Sequence, residues 1–148
     1  MSARWPEVVT YLLTTLPNLP GWGQVAVYDT DAITDAAPAS YAIVGKTSDD
    51  NTSGNYVRMI EPSMMVMESG TVRVHIVTRT GDPDPAGVRT DGFALISALE
   101  DALMADQDLG GVLGQIGTVD LTVDVLSFSD QRGIGQSLIV SVNYTSQT

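Results

Sequence analysis

Two long runs near the end of the chain, TVDLTVDVLSFSD and QSLIVSVNYTS, alternate apolar and polar residues. In the first, Val119, Leu121, Val123 and Val125 alternate with Asp120, Thr122 and Asp124. In the second, Leu138, Val140, Val142 and Tyr144 keep the same period. Successive side chains of a strand point to opposite faces, so this pattern predicts two strands with one buried face each. The DQRGIG stretch between them carries turn residues and predicts the reversal that makes a β-hairpin.

Upstream, Trp5, Val8, Val9, Leu12, Leu13 and Leu16 form one apolar helical stripe, with Pro6 in the first turn, where a missing N–H costs little. Pro17 and Pro20 stop that helix. QVAVYD and YAIVG are short strand candidates joined by the connector ITDAAPAS, and the polar residues 46–55 predict an exposed loop. YVRMIEPSMMVMESG is strand-like at both ends with a break near Pro62. In TVRVHIVTR, Val72, Val74, Ile76 and Thr78 share one face, and Arg73, His75, Val77 and Arg79 the other. A second helix follows, with Asp84 as its cap, Pro85 at its first position and Phe93, Ile96, Leu99 and Leu103 along its apolar face. Leu95, Ala98 and Ala102 lie alongside, while Arg89, Glu100 and Asp101 suit the wet side. Gly110 and Gly111 can take the left-handed conformation that ends a helix. The order of elements predicts one α+β domain over residues 1–148: a mainly antiparallel sheet with two helices on one face, ending in a long β-hairpin.

Charge and composition narrow the function classes. Eighteen acidic against seven basic residues give a net charge of −11, which repels nucleic acid phosphates and anionic membranes. The basic residues Arg4, Lys46, Arg58, Arg73, Arg79, Arg89 and Arg132 stand singly, without a patch. With no cysteine there is neither disulfide nor thiolate chemistry. The expectation is a soluble protein made in the cytoplasm, without signal peptide or membrane span.

Residues with possible chemistry each have a plainer alternative. Asp49, Asn51, Ser53 and Gly54 follow the spacing of a calcium loop, yet the position of its bidentate Glu is Ile60, and the flanks read as strands. A polar turn is the simpler expectation. His75, the one histidine, lacks the partners of a triad or zinc site and is expected to face solvent or a neighbouring subunit. GIGQSL lacks the third glycine of a dinucleotide fingerprint and is expected to be a turn. The pairs Asp49–Asp50, Asp82–Asp84, Glu100–Asp101 and Asp106–Asp108 are expected as solvated charge that could collectively line a channel. Met59, Met64, Met65 and Met67 crowd four of the six methionines into nine residues. They either fill irregular core gaps or form an adaptable surface that orders against a partner.

In order along the chain, three features resemble the tail terminator (minor tail, or head-to-tail joining) proteins of long-tailed bacteriophages. They are the helix WPEVVTYLLTTLPNLP with its proline exit, the D-x-x-L-G-G element of Asp106, Leu109, Gly110 and Gly111, and the final hairpin ending in IVSVNYTS. The resemblance implies a structural virion protein rather than an enzyme, needing no cofactor. It implies a homohexameric ring that caps the tail tube protein, ends tube growth and meets the head-side connector or stopper. DNA would pass through its lumen without sequence-specific binding. The candidate partner surface is Met59, Met64, Met65 and Met67, and the candidate exposed loop at the lumen or a partner surface is Asp49, Asp50 and Asn51. A tail tube subunit or connector stopper is the nearest alternative, and a small ligand-binding domain or enzyme the more distant one.

Overall fold

The computed structural model describes residues 3–29, 40–45, 53–60, 65–80, 85–114, 117–130 and 133–147. Helix α1 (Trp5–Thr15) runs into a single 3-10 turn at Leu16–Asn18, where Pro17 ends it. Strands β1 (Ala26–Asp29), β2 (Tyr41–Val44), β3 (Gly54–Ile60) and β4 (Val66–Thr80) follow. Helix α2 (Pro85–Ala105) then precedes the hairpin of β5 (Thr118–Asp130) and β6 (Gly133–Gln147). The fold is α+β, with one six-stranded sheet in the order β1-β2-β4-β6-β5 and β3 also paired to β4. Only the β1–β2 pair is parallel.

β4 is the spine. One of its sides pairs with β6 along nearly its whole length, from Met67 opposite Gln147 to Thr80 opposite Ile134. Its other side is shared end to end: β3 takes the stretch from Val66 to Val72, and β2 takes Val74 to Val77. Val72, Val74, Ile76, Leu138, Val140, Val142 and Tyr144 turn one face towards the helices and meet Val8, Leu12 and Leu16 of α1 and Leu95, Ile96, Leu99 and Leu103 of α2. Burying each such side chain contributes about 1.5–3 kcal/mol, which makes this layer the main source of stability. Trp22 is also fully buried there and donates its indole N–H to the Leu95 carbonyl at 3.1 Å.

Several sequence expectations need correction. Phe93 does not line the apolar face of α2 but is 42% exposed, because the helix is turned so that Gly92 faces the sheet. A Cβ on Gly92 would stand 2.9 Å from the Leu138 Cδ1, so the glycine eases the close approach of α2 to the sheet. His75 faces away from the helices, but it is buried within the single chain, 3.2 Å from the Ser137 Oγ through its Nε2. Ile43, Val77 and Ile139 are buried on that same outer face, which therefore has a small apolar row of its own. The strand seen in TVRVHIVTR extends back to Val66, and Gly54 and Asn55 open β3 instead of belonging to a loop. GIGQSL is the start of β6, not a turn; Gly135 lies under the ring of Phe128, over which the Arg79 guanidinium stacks at 4.7 Å. Asp84 and the break near Pro62 lie outside the described residues.

The D-x-x-L-G-G element does more than stop α2. Gly110 and Gly111 are left-handed at φ 67° and 92°, and so is Leu109 at φ 53°. That conformation costs a branched residue roughly 1–2 kcal/mol, offset here by complete burial of the Leu109 side chain. Asp106 organises the turn. Its Oδ1 accepts the Gly110 N–H at 3.0 Å, and its Oδ2 accepts the Tyr11 hydroxyl of α1 at 2.9 Å. These two bonds, Gly110 first, hold the Asp106 carboxyl below its ordinary value. Burial and the bond to Asp106 push the Tyr11 hydroxyl up to about 12.

A raised tyrosine favours the neutral form in the fold, so its stabilisation is complete below about pH 10 and fades as the pH climbs towards about 12. The depressed Asp106 acts oppositely: its contribution is present above about pH 4 and is lost as the pH falls through the folded value. Urea midpoints across pH are expected to show Tyr11→Phe destabilised by about 1 kcal/mol at neutral pH and less sensitive than the parent between about pH 10 and 12.

Candidate interaction surface

The β3–β4 hairpin leaves the body of the domain with its apolar residues uncovered. Val57 is 65% exposed, Met59 62%, Ile60 74%, and Met65 and Met67 39% each. Register explains how they gather. Met59 stands opposite Met67 and Val57 opposite Ser69, so Val57 and Met59 of β3 point to the outer face, as Met67 does on β4, with Met65 immediately before that strand. Tyr56 and Ile60 share the other face with Gly70 and Val66. Of the four methionines in the sequence-derived surface, three therefore lie on the surface rather than in core gaps; Met64 lies outside the described residues. Asp49, Asp50 and Asn51 also lie outside them, so the calcium-like spacing is represented only by Ser53 and by Gly54, a strand residue.

What makes this surface rigid lies directly beneath it, at Glu68. In β4 the even positions face the core, and Glu68 falls between Val66 and Gly70 in that phase, only 2% exposed. Its carboxylate accepts the Arg4 backbone N–H at 3.0 and 2.9 Å and the Tyr144 hydroxyl at 2.6 Å. The Arg58 Nε of β3 is 3.3 Å away. Arg4 precedes the first turn of α1, so the negative charge sits at the positive end of that helix, a long-range cap in place of a local side-chain one. Burial and the neighbouring Glu68 raise the Tyr144 hydroxyl well above its ordinary value, so it stays a donor.

Gly70 is required by this arrangement. It stands opposite Tyr144, whose ring crosses over it to reach Glu68; a Cβ there would meet the hydroxyl at 2.5 Å and Cζ at 2.6 Å. Gly54 plays a similar part at the other end of β3, tucked against the Thr71 carbonyl and the Trp5 indole. That indole N–H bonds the same carbonyl at 2.9 Å. α1, β3, β4 and β6 are thus tied together within a few residues of the exposed methionines.

Sequence reading marked the methionines but missed Glu68, Gly70 and Tyr144. The available signal was an acid and a glycine falling in the apolar phase of an alternating strand. Of the carboxylate pairs, Glu100 and Asp101 are exposed on α2 as expected, whereas Asp106 is the structural ligand described above. Among the described residues, no group of three or more His, Asp or Glu side chains is placed to hold a metal ion. No described helix is long and apolar enough to cross a membrane. Compared with known proteins, the chain matches no family model, and a search of curated proteins returns no significant match.

Removing one partner of a buried, hydrogen-bonded charge is costly because the other groups stay desolvated. Tyr144→Phe is expected to cost about 1–3 kcal/mol. Gly70→Ala is expected to cost a similar amount by overpacking, about 1–3 kcal/mol. Denaturant unfolding checks both, and the double variant should cost less than the two single changes together, because both act through the Tyr144 ring.

Proposed function

We propose that this protein is a structural ring subunit, a tail terminator of a long-tailed phage, located at the head–tail junction of the virion. The observation that carries the reading is the braced apolar hairpin, with Val57, Met59, Ile60, Met65 and Met67 open to solvent on one edge of the sheet. An exposed apolar cluster on an edge strand invites pairing with another chain, and a heterologous contact of this kind closes into a ring when the rotation permits. The resemblance of the N-terminal helix, the Asp106–Gly111 element and the final hairpin to terminators supplies the particular role. In that role a homohexamer caps the tail tube protein, halts its growth and presents a surface to the head-side connector. The high negative charge suits a lumen past which DNA moves without sticking.

Light scattering over a concentration series, with negative-stain images of the same fractions, tests this. Closed rings of about six subunits are expected. Met59→Asp, at an exposed position that leaves the core intact, is expected to raise the concentration needed for assembly by about tenfold or more. Long tubes would favour a tube subunit instead. A monomer at every concentration that tail tubes fail to recruit would overturn the reading.

A further inference from the structure

The opposite edge of the sheet has a different chemistry. Among the described residues β5 pairs with β6 alone, and no described strand pairs with its other side along its thirteen residues. Val119, Leu121, Val123 and Val125 stand opposite Tyr144, Val142, Val140 and Leu138 and so face the helix layer. α2 covers them incompletely: the first three are half-buried and Val125 is 45% exposed. Between this edge and the C-terminal half of α2 runs an open groove of about 410 Å³, with Leu103, Met104, Val119 and Leu121 in its apolar lining and Glu100 and Asp120 among its charged residues. Met104, 72% exposed, has most of its side chain available to an occupant.

Charge decides which occupant. Between Thr90 and Gln131 the chain has eight of its eighteen acidic residues and none of its seven basic ones. That segment builds β5 and α2 from Thr90 onward, the two walls of the groove; Arg89 precedes it on α2, outside the groove's lining. On the outer face of β5, Asp120 and Asp124 are exposed four residues apart, with Thr122 between them on the same face. A strand added to this edge places alternate side chains in the groove and the others beside those aspartates, about 5 Å away across the strand pair.

From this geometry we infer that the α2–β5 groove takes an extended segment of a different protein in which apolar residues alternate with lysine or arginine. The segment extends the sheet by main-chain hydrogen bonds to β5. Its apolar side chains pack against Leu103, Met104 and Leu121, and its cations stand beside Asp120 and Asp124. A second copy is the poorer occupant, because this chain is itself strongly acidic. The inference does not depend on the ring proposed above, which uses the other edge of the sheet.

The probe is a blocked peptide alternating valine and lysine, cut to the length of β5, with a valine–glutamate peptide of equal length as its counterpart. Titration of labelled peptide into the full chain, followed by fluorescence anisotropy, is expected to show saturable binding of the lysine peptide that weakens with salt, and none of the glutamate peptide. Asp120→Lys with Asp124→Lys is expected to lower lysine-peptide affinity by about tenfold or more. Because Asp120 accepts the Asn143 side-chain N–H at 2.8 Å, Asp120→Asn with Asp124→Asn, which keeps that acceptor, serves as the milder variant and should lose affinity in the same direction. No binding of the lysine peptide, equal binding of both peptides, or indifference to both double variants would overturn the inference. So would self-association of the parent chain that the charge reversal abolishes, since the occupant would then be a second copy.

Discussion

The buried carboxylate of Glu68 joins parts of the chain that are far apart in sequence. It holds the N-terminus of α1 through the Arg4 N–H, β3 through Arg58 and β6 through Tyr144, from its own place on the central strand. A buried carboxylate is tolerable only when its oxygens are engaged, and here both accept the Arg4 N–H, one also accepts the Tyr144 hydroxyl and the other faces the Arg58 guanidinium. The net stability of such a site is modest compared with an apolar replacement, but its geometry is specific. It is satisfied jointly by the helix start, by the register of β3 against β4 and by the position of the Tyr144 ring. Gly70 is the steric counterpart of that requirement, since any side chain there closes the path of the Tyr144 ring.

The consequence is a sheet whose two free sides are unlike each other. Beside the Glu68 cluster, the β3–β4 hairpin is braced from below and apolar above. At the far side, no described strand covers the outer edge of β5, which has an acidic border and a groove beside α2. The helix layer is positioned by separate devices: Gly92 lets α2 settle onto Leu138, and the Asp106 turn fastens the end of α2 to Tyr11 of α1. A domain built this way offers one surface by apolar exposure and another by charge, with the helix layer packed between them. This arrangement suits a part that must contact neighbours of more than one kind.

Much of this was legible in the sequence wherever a periodic pattern met a single buried face. The stripe from Trp5 to Leu16, the alternation of Val72, Val74 and Ile76 and the closing hairpin all follow from one-sided burial. Where pattern failed, a long-range contact had overridden it. Phe93 fits a helical stripe on paper, yet a glycine one position earlier faces the sheet, because only there can the backbone come close. Leu109 takes a left-handed conformation that nothing in a leucine announces, and complete burial holds it there. The methionine cluster was conspicuous by density alone, but its outward direction depends on the Met59–Met67 register. Glu68 carried a faint signal, an acid in an apolar phase, whose partners at Arg4 and Tyr144 lie 64 and 76 residues away.

We propose that the braced β3–β4 hairpin is the surface through which copies of this chain meet. Hydrogen exchange of the backbone amides, compared between dilute and concentrated protein, tests it most directly. Amides of β3 are expected to gain protection on concentration while those of β5 exchange at an unchanged rate. Protection that grows along β5 instead, or assembly that leaves β3 exchanging as fast as in the monomer, would contradict it.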